Sequence, residues 1–143
     1  MLDSAVSVAR TTAFWSALGR RDIDACIATL APDVVRIGPR DSGEKDMVRG
    51  KDAYTSFLKR ILATMPDYGN LTHEAVASDD GRHVYLHYSE FVAAEAGSRE
   101  RIEVRGVLIF HLNDAQLINR IDCYWKQPRE QVEWSRARNL IES

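Results

Sequence analysis

Between Ala5 and Leu18 the apolar residues Val6, Ala9, Ala13, Phe14, Ala17 and Leu18 recur at intervals of three to four, the stripe of an amphipathic helix. Gly19 ends it. Asp22 is placed to cap a short second helix carrying Ile23, Cys26, Ile27 and Leu30 on one side, and Pro32 is expected to close that helix. Val34-Val35-Arg36-Ile37 reads as a short strand, and Gly38 to Gly43 as a loop. The clearest helical stripe follows Gly50: Tyr54, Phe57, Leu58, Ile61, Leu62 and Met65 hold the period without a miss, and Pro66 stops it.

Beyond Pro66 the period changes. Segments near 71–78, 83–94, 100–112 and 116–126 are rich in β-branched and aromatic residues, as strands are. Asp79-Asp80-Gly81 is a hairpin turn, Ala96-Gly97-Ser98 lies between the next two strands, and Asn113-Asp114 turns the chain into the last. Pro128 fits the first position of a closing helix that runs to about Leu140. Three helices followed by a four-stranded meander predict an α+β fold, a cone-shaped, curved antiparallel sheet packed on three N-terminal helices. The mouth of such a cone offers entry to a small apolar ligand.

Composition narrows the field without naming an activity. With 143 residues, 45% of them hydrophobic, the chain suffices for one core, so 1–143 is read as a single domain. No apolar run approaches the ~18 residues of a membrane span, and MLDSAVSVAR lacks the pattern of a signal peptide. A net charge of −2 with no basic block gives nucleic acid no footprint. Cys26 and Cys123 lie in no CxxC and have no zinc-pair spacing. They are expected to be buried reduced thiols, which points to the cytoplasm.

Three segments carry a family resemblance. Ala17 to Asp22 continuing through Leu30-Ala31-Pro32-Asp33-Val34, Gly50-Lys51-Asp52-Ala53 with the helix ending in Met65-Pro66-Asp67, and Gly106 to Phe110 continuing through Ile118 to Asp122 together resemble the nuclear transport factor 2-like superfamily. Within it, the chain is similar to the SnoaL-like polyketide cyclases. The resemblance implies the cone fold, a homodimer through the outer face of the sheet, and a pocket for a small hydrophobic molecule. It does not imply one reaction, because the fold hosts enzymes and plain binders alike.

Asp122 is the first candidate for chemistry, a carboxylate in mid-strand between Ile121 and Cys123. If buried it would lose hydration, and its pKa would rise into the range useful for general acid or base work. By resemblance it falls on the acid/base aspartate of the cyclases and on an aspartate of limonene epoxide hydrolases. The competing reading is a strand aspartate paired with Arg120, two residues away on the same face. Glu90 is second: alternation puts it with Val84, Leu86, Tyr88 and Val92 on the more apolar face. It resembles the second carboxylate of the epoxide hydrolases, with Tyr88 where their arginine stands and Arg120 as a substitute charge. Two carboxylates bridged by a guanidinium would give one acid and one base. An ion pair at the rim is its alternative.

His87 and His111 occupy neighbouring strands, a feature of the scytalone dehydratase type of site, but parity separates His87 from Glu90. His73 and His83 read as edge or turn residues, and no metal or cofactor is expected. Ketosteroid isomerases of the superfamily place a tyrosine, an aspartate and a protonated aspartate where this chain has Phe14, Gly38 and Val107, which argues against that mechanism. Ile37 and Pro39 replace the water-holding tyrosine and asparagine of the epoxide hydrolases, and Leu108 the helper histidine of the cyclases.

Trp15, Tyr54, Tyr88 and Tyr124, with Arg120, are the expected substrate contacts, while Phe14 and Phe57 are expected in the core. The charged loop 38–49, with Arg40, Asp41, Glu44, Lys45 and Asp46, reads as a solvated flap. Tyr85, Phe91 and Trp125 are expected exposed on the dimer face. Two functions remain open: a cofactor-independent enzyme of the cyclase, isomerase, dehydratase or epoxide-hydrolase type using Asp122 and Glu90, or a non-catalytic binding or dimerisation module.

Overall fold

A computed structural model describes residues 1–39, 46–93 and 101–126. In chain order it contains α1 (Ser4–Gly19), α2 (Ile23–Ile27), β1 (Leu30–Ile37), β2 (Met47–Arg49), α3 (Lys51–Thr64), β3 (Gly69–Ala77), β4 (His83–Ala93), β5 (Arg101–Leu112) and β6 (Ile118–Trp125). The expected closing helix from Pro128, the turn at Ala96-Gly97-Ser98 and the flap residues Arg40, Asp41, Glu44 and Lys45 lie outside the described residues.

Capping fixes the helix starts. Asp3 accepts hydrogen bonds from the amides of Ala5 and Val6, and Asp22 from that of Ala25, as its position predicts. Gly50 takes a φ of +87°, a conformation that costs glycine little, and its amide is bonded to the carbonyl of Val34 as α3 begins. The buried side of α1 is rotated from the stripe read in the sequence: Ser7 and Thr11 are buried with Phe14, Trp15 and Leu18, while Val6, Ala9 and Ala13 are exposed. The two hydroxyls tolerate burial because each is bonded. Ser7 donates to the carbonyl of Gly81 at 2.6 Å, and Thr11 donates back to the carbonyl of Ser7 at 3.1 Å.

The sheet is six-stranded, curved and unclosed, in the order β2-β1-β6-β5-β4-β3. The expected antiparallel meander is β3 to β6. A correction concerns its other end: β1 pairs parallel with β6, and β2 pairs antiparallel with β1, so the sheet is mixed. Pro32 does not close α2, which ends at Ile27; it lies in β1 where pairing with β6 slips between Leu30 and Val35. A residue without an amide hydrogen is tolerated at such an irregularity.

One face of the sheet receives α1 and α3. Across it, Val84, Phe110 and Ile121 form one row and Leu86, Leu108 and Cys123 the next. Phe14 meets this layer edge-on, with ring centroids 5.7 Å from Phe110 and 6.2 Å from Tyr54. The third row reads Tyr88, Gly106 and Trp125, which puts Trp125 on the inner face rather than on the exposed face expected for it. Gly106 is required there: a Cβ would stand 2.6 Å from the Tyr88 hydroxyl and collide with the carbonyl oxygen of Tyr124. Gly106→Ala is therefore expected to destabilise the fold by about 1–3 kcal/mol, the usual cost of overpacking, seen as a lower urea midpoint with an unchanged m-value.

Candidate active-site cavity

Between α1, α3 and the inner sheet face lies a cavity of about 410 Å³, a size that suits a small organic ligand. Trp15 and Leu18 of α1, Tyr54, Phe57 and Ile61 of α3 with Met65 just past its end, and Tyr88, Leu108, Ile121 and Trp125 of the sheet supply most of its wall. Into this apolar lining project a few polar groups: Arg36, Asp46, Tyr68, Glu90 and Cys123. Phe57 is thus a wall residue as well as a packing residue, with Arg36 over its ring.

Glu90 reaches the cavity by the alternation of β4, two residues beyond the buried Tyr88. Burial pushes its carboxyl above the ordinary value, against the opposing pull of the Tyr68 hydrogen bond and the Arg36 charge. The Tyr68 hydroxyl donates to Glu90 Oε2 at 2.6 Å, and Asn70, which faces Glu90 across the β3–β4 ladder, donates to the Tyr68 oxygen at 3.3 Å. Burial also drives the Tyr68 and Tyr88 hydroxyls up, so both are fixed as neutral donors. Glu90 Oε1 makes no hydrogen bond among the described residues. Among the described residues the carboxyl is anchored by one oxygen alone.

Asp122 is elsewhere. Ile121, Cys123 and Trp125 point inward, so Asp122, Arg120 and Tyr124 point to the outer face. There Arg120 grips the Asp122 carboxylate with two hydrogen bonds, at 3.0 and 3.1 Å, and His111 Nε2 stands 3.1 Å from Oδ2. Tyr124 is 58% exposed. Of the residues singled out in the sequence, the cavity brings together Glu90, Tyr88, Trp15 and Tyr54, while Asp122, Arg120 and Tyr124 form a separate group on the opposite side of the sheet.

Three cavity groups were not among the sequence candidates. Arg36 sits in β1 beside Val34 on the inner side, opposite Ile121 of β6, and its alternation with Val34 was the available signal. Asp46 was grouped with a solvated flap but lines the wall, 3.5 Å from Arg36 Nη1. Tyr68 lies between α3 and β3, where no periodicity marks it. The Cys123 thiol is pushed up to about 12 by burial and is no nucleophile. The histidines pair on the outer face: His73 with His87 at 4.8 Å and His83 with His111 at 4.6 Å between ring centroids. Among the described residues, no group of three or more His, Cys, Asp or Glu side chains could hold a metal ion, and no helix is long and apolar enough to cross a membrane.

A family model described as a SnoaL-like domain matches residues 11–120. No curated protein matches the chain. Among solved structures, the epoxide hydrolase/cyclase-like enzyme SalBIII, described in pyran ring formation in polyether salinomycin, is similar with a TM-score of 0.73 at 16% identity, covering 89% of this chain and 95% of its own. A Mycobacterium tuberculosis protein in complex with estradiol-17beta-hemisuccinate has a TM-score of 0.70 at 23% identity, covering 85% and 94%. A computationally designed 17-OHP binder has a TM-score of 0.70 at 22% identity, covering 85% and 93%. At these identities the likeness is one of fold.

The hydrogen bond from Tyr68 favours the charged form of Glu90, so Tyr68→Phe is expected to raise the Glu90 pKa further above 4.5. Carboxyl-resolved NMR titration measures it directly. The linkage sign is fixed by the upward shift: stability associated with Glu90 is full below its unfolded value and lost as pH rises through its folded value. In Tyr68→Phe that loss begins from the same unfolded value but continues to a higher pH.

Proposed function

The chain belongs to the SnoaL-like domain family, and from that premise we propose that it is a cofactor-independent enzyme that binds a small hydrophobic molecule in the cavity and moves a proton on it through Glu90. One observation carries this reading: the buried, upward-shifted Glu90 carboxyl, fixed at Oε2 by Tyr68 and, among the described residues, without a hydrogen bond at Oε1, in an aromatic cavity of about 410 Å³. A carboxyl with a raised pKa is a stronger base than one in water and also a proton donor nearer neutrality. Tyr88, Trp15 and Tyr54 would enclose the ligand, and Trp15 and Tyr88 already meet edge-on at 4.7 Å. The role first expected of Asp122 passes to Glu90, because Asp122 is clamped by Arg120 on the other side of the sheet.

The reaction class is cyclisation, isomerisation, dehydration or hydrolysis by proton transfer. The epoxide hydrolase/cyclase-like enzyme and the Mycobacterium tuberculosis protein support this range, the first through its reaction type and the second through its bound estradiol-17beta-hemisuccinate. Two buried free thiols support the cytoplasmic setting expected from the sequence.

Pairing of two copies through the outer face belongs to the same proposal. Tyr85 and Tyr124 stand exposed there with Leu71 and Val76, and Arg105, Arg120 and Glu103 offer charges of both signs to a two-fold mate. Light scattering is expected to give a mass near twice 16.2 kDa, reduced to that of one chain in the double variant Tyr85→Glu/Tyr124→Glu. A wild-type mass of one chain would remove the dimer.

For the catalytic reading, panels of enolisable ketones, epoxides and hydroxy-ketones serve as substrates. Glu90→Gln keeps the shape of the side chain and is expected to lower turnover by about 10²–10⁴-fold with ligand affinity little changed. Ligands that bind without turnover by the wild type, or turnover that survives Glu90→Gln, would leave a binding module in its place.

A further inference from the structure

Arg36 places in the cavity wall a charge that no accessible pH removes. Its side chain is 13% exposed, and its guanidinium carbon stands 4.5 Å from the centroid of the Phe57 ring. That contact steadies the cation through the ring face and uses none of its N–H donors. Of the five, the described residues engage one: Nη1 reaches Asp46 Oδ1 at 3.5 Å, the outer limit of a hydrogen bond.

Asp46 is held beside the end of β1. Its backbone carbonyl accepts from the Gly38 amide at 2.7 Å, and its carboxylate lies so close to Gly38 that a Cβ there would overlap it. From that position it touches the guanidinium without closing on it. Arg120, on the other face of the sheet, shows the contrast: its bonds to Asp122, at 3.0 and 3.1 Å, join two donors to two oxygens in a fork.

Burial works against the Arg36 charge, while Cys123, Tyr54, Asp46 and Glu90 work for it. The Cys123 thiol and the Tyr54 hydroxyl are both driven up by burial and stay neutral, so the compensating negative charge falls to Asp46 and Glu90. No ion pair within 4.0 Å joins Glu90 to Arg36, and burial shifts Glu90 toward its neutral form. A guanidinium in an aromatic wall, with most of its donors unmatched among the described residues, is costly to bury. An anionic group on the ligand would offset that cost.

We propose that Arg36 is a carboxylate anchor, and that the ligand of this cavity is a hydrophobic monocarboxylic acid with its acid group on the guanidinium and its apolar body against Trp15, Tyr54 and Tyr88. This rests on the reading of Glu90 as the proton-transfer group and names the substrate class for that site. The planar fork of an arginine matches a planar carboxylate, donor for oxygen. Charge balance selects a monoanion. One guanidinium flanked by two carboxyls has room for a single further negative charge, so a phosphate ester, with nearly two, meets net repulsion. The anchor also orients the ligand. In the sheet, β6 and β5 separate the strand of Arg36 from the strand of Glu90. The atom that meets Glu90 therefore lies along the apolar body, away from the acid group.

The test needs no turnover. The probes are 2-naphthoate, the neutral 2-naphthamide and 2-naphthyl phosphate, titrated by calorimetry at a pH of about 8, above the second pKa of a phosphate ester. The wild type is expected to bind the naphthoate at least about tenfold more tightly than the amide, the share of one charge-assisted hydrogen bond, and more tightly than the phosphate. Arg36→Met and Arg36→Gln are expected to abolish the preference over the amide by weakening the naphthoate alone. Arg36→Lys, a point charge without the fork, keeps part of it. Glu90→Gln leaves the anchor in place and keeps or enlarges the preference, because a neighbouring negative charge is gone. Thermal melts reveal any variant that fails to fold, and the wild-type comparison stands apart from all of them. Equal binding of naphthoate and amide by the wild type, tighter binding of the phosphate, or a preference that survives both neutral replacements of Arg36 overturns the proposal while leaving Glu90 in its role. So does a preference lost in Glu90→Gln. Binding of none of the probes overturns the cavity as a ligand site and the functional reading with it.

Discussion

An ionisable group inside an aromatic wall survives only if its desolvation is offset, and the position of Glu90 rests on that condition. Removing a carboxyl from water without a partner costs several kcal/mol. The Tyr68 hydroxyl offsets part of this at 2.6 Å, and Asn70 holds Tyr68 in turn while donating to the Trp15 carbonyl at 2.9 Å. Asn70 fits against the end of α1 because residue 19 is glycine; a Cβ there would collide with its side-chain amide. The residue that ends the first helix therefore also makes room for the chain Asn70–Tyr68–Glu90. Helix, strand and carboxyl are joined through one small gap.

Strand alternation explains both what was legible in the sequence and what was misplaced. Val84, Leu86, Tyr88 and Glu90 alternate cleanly with Tyr85, His87 and Ser89, and that pattern alone puts Glu90 on the inner face. The same rule applied to Ile121, Cys123 and Trp125 sends Asp122 outward, into the pairing with Arg120 that their spacing on one face allows. Trp125 went astray in the reverse direction. Alternation with Val34 is the one sequence signal for Arg36, and the apolar neighbours Val35 and Ile37 blur it by making the strand look like a uniform run. Only the pairing of β1 with β6, a contact remote in sequence, shows that Arg36 faces Ile121. In α1, Ser7 and Thr11 were misjudged for a different reason: their burial depends on partners such as the Gly81 carbonyl, 74 residues away for Ser7. Side-chain polarity predicts burial poorly where a hydroxyl finds an acceptor.

The two faces of the sheet divide the charged residues by how completely they are paired. On the outer face, Asp122 accepts from two donors of Arg120 and lies against the imidazole of His111, while Ser89 donates to Glu103 at 2.6 Å, which is also bound by Arg105. Asp122 is bonded at both oxygens, and such pairs add little stability where solvent reaches them. On the inner face, among the described residues, Glu90 is bonded at one oxygen and Arg36 through one donor. General acid–base chemistry needs a carboxyl that a substrate atom can reach within hydrogen-bonding distance, and of the two carboxyls only Glu90 borders the cavity.

Glu90 and Arg36 influence one another with no ion pair within 4.0 Å between them. Burial pushes the Glu90 carboxyl up while Tyr68 and the Arg36 charge pull it down, and burial prevails. A direct salt bridge would work against that balance, because a guanidinium in contact stabilises the charged carboxylate far more than one at a distance. The upward shift on which the proposed proton transfer draws therefore depends on the separation of the two charges as much as on the aromatic wall of Trp15, Tyr54 and Tyr88.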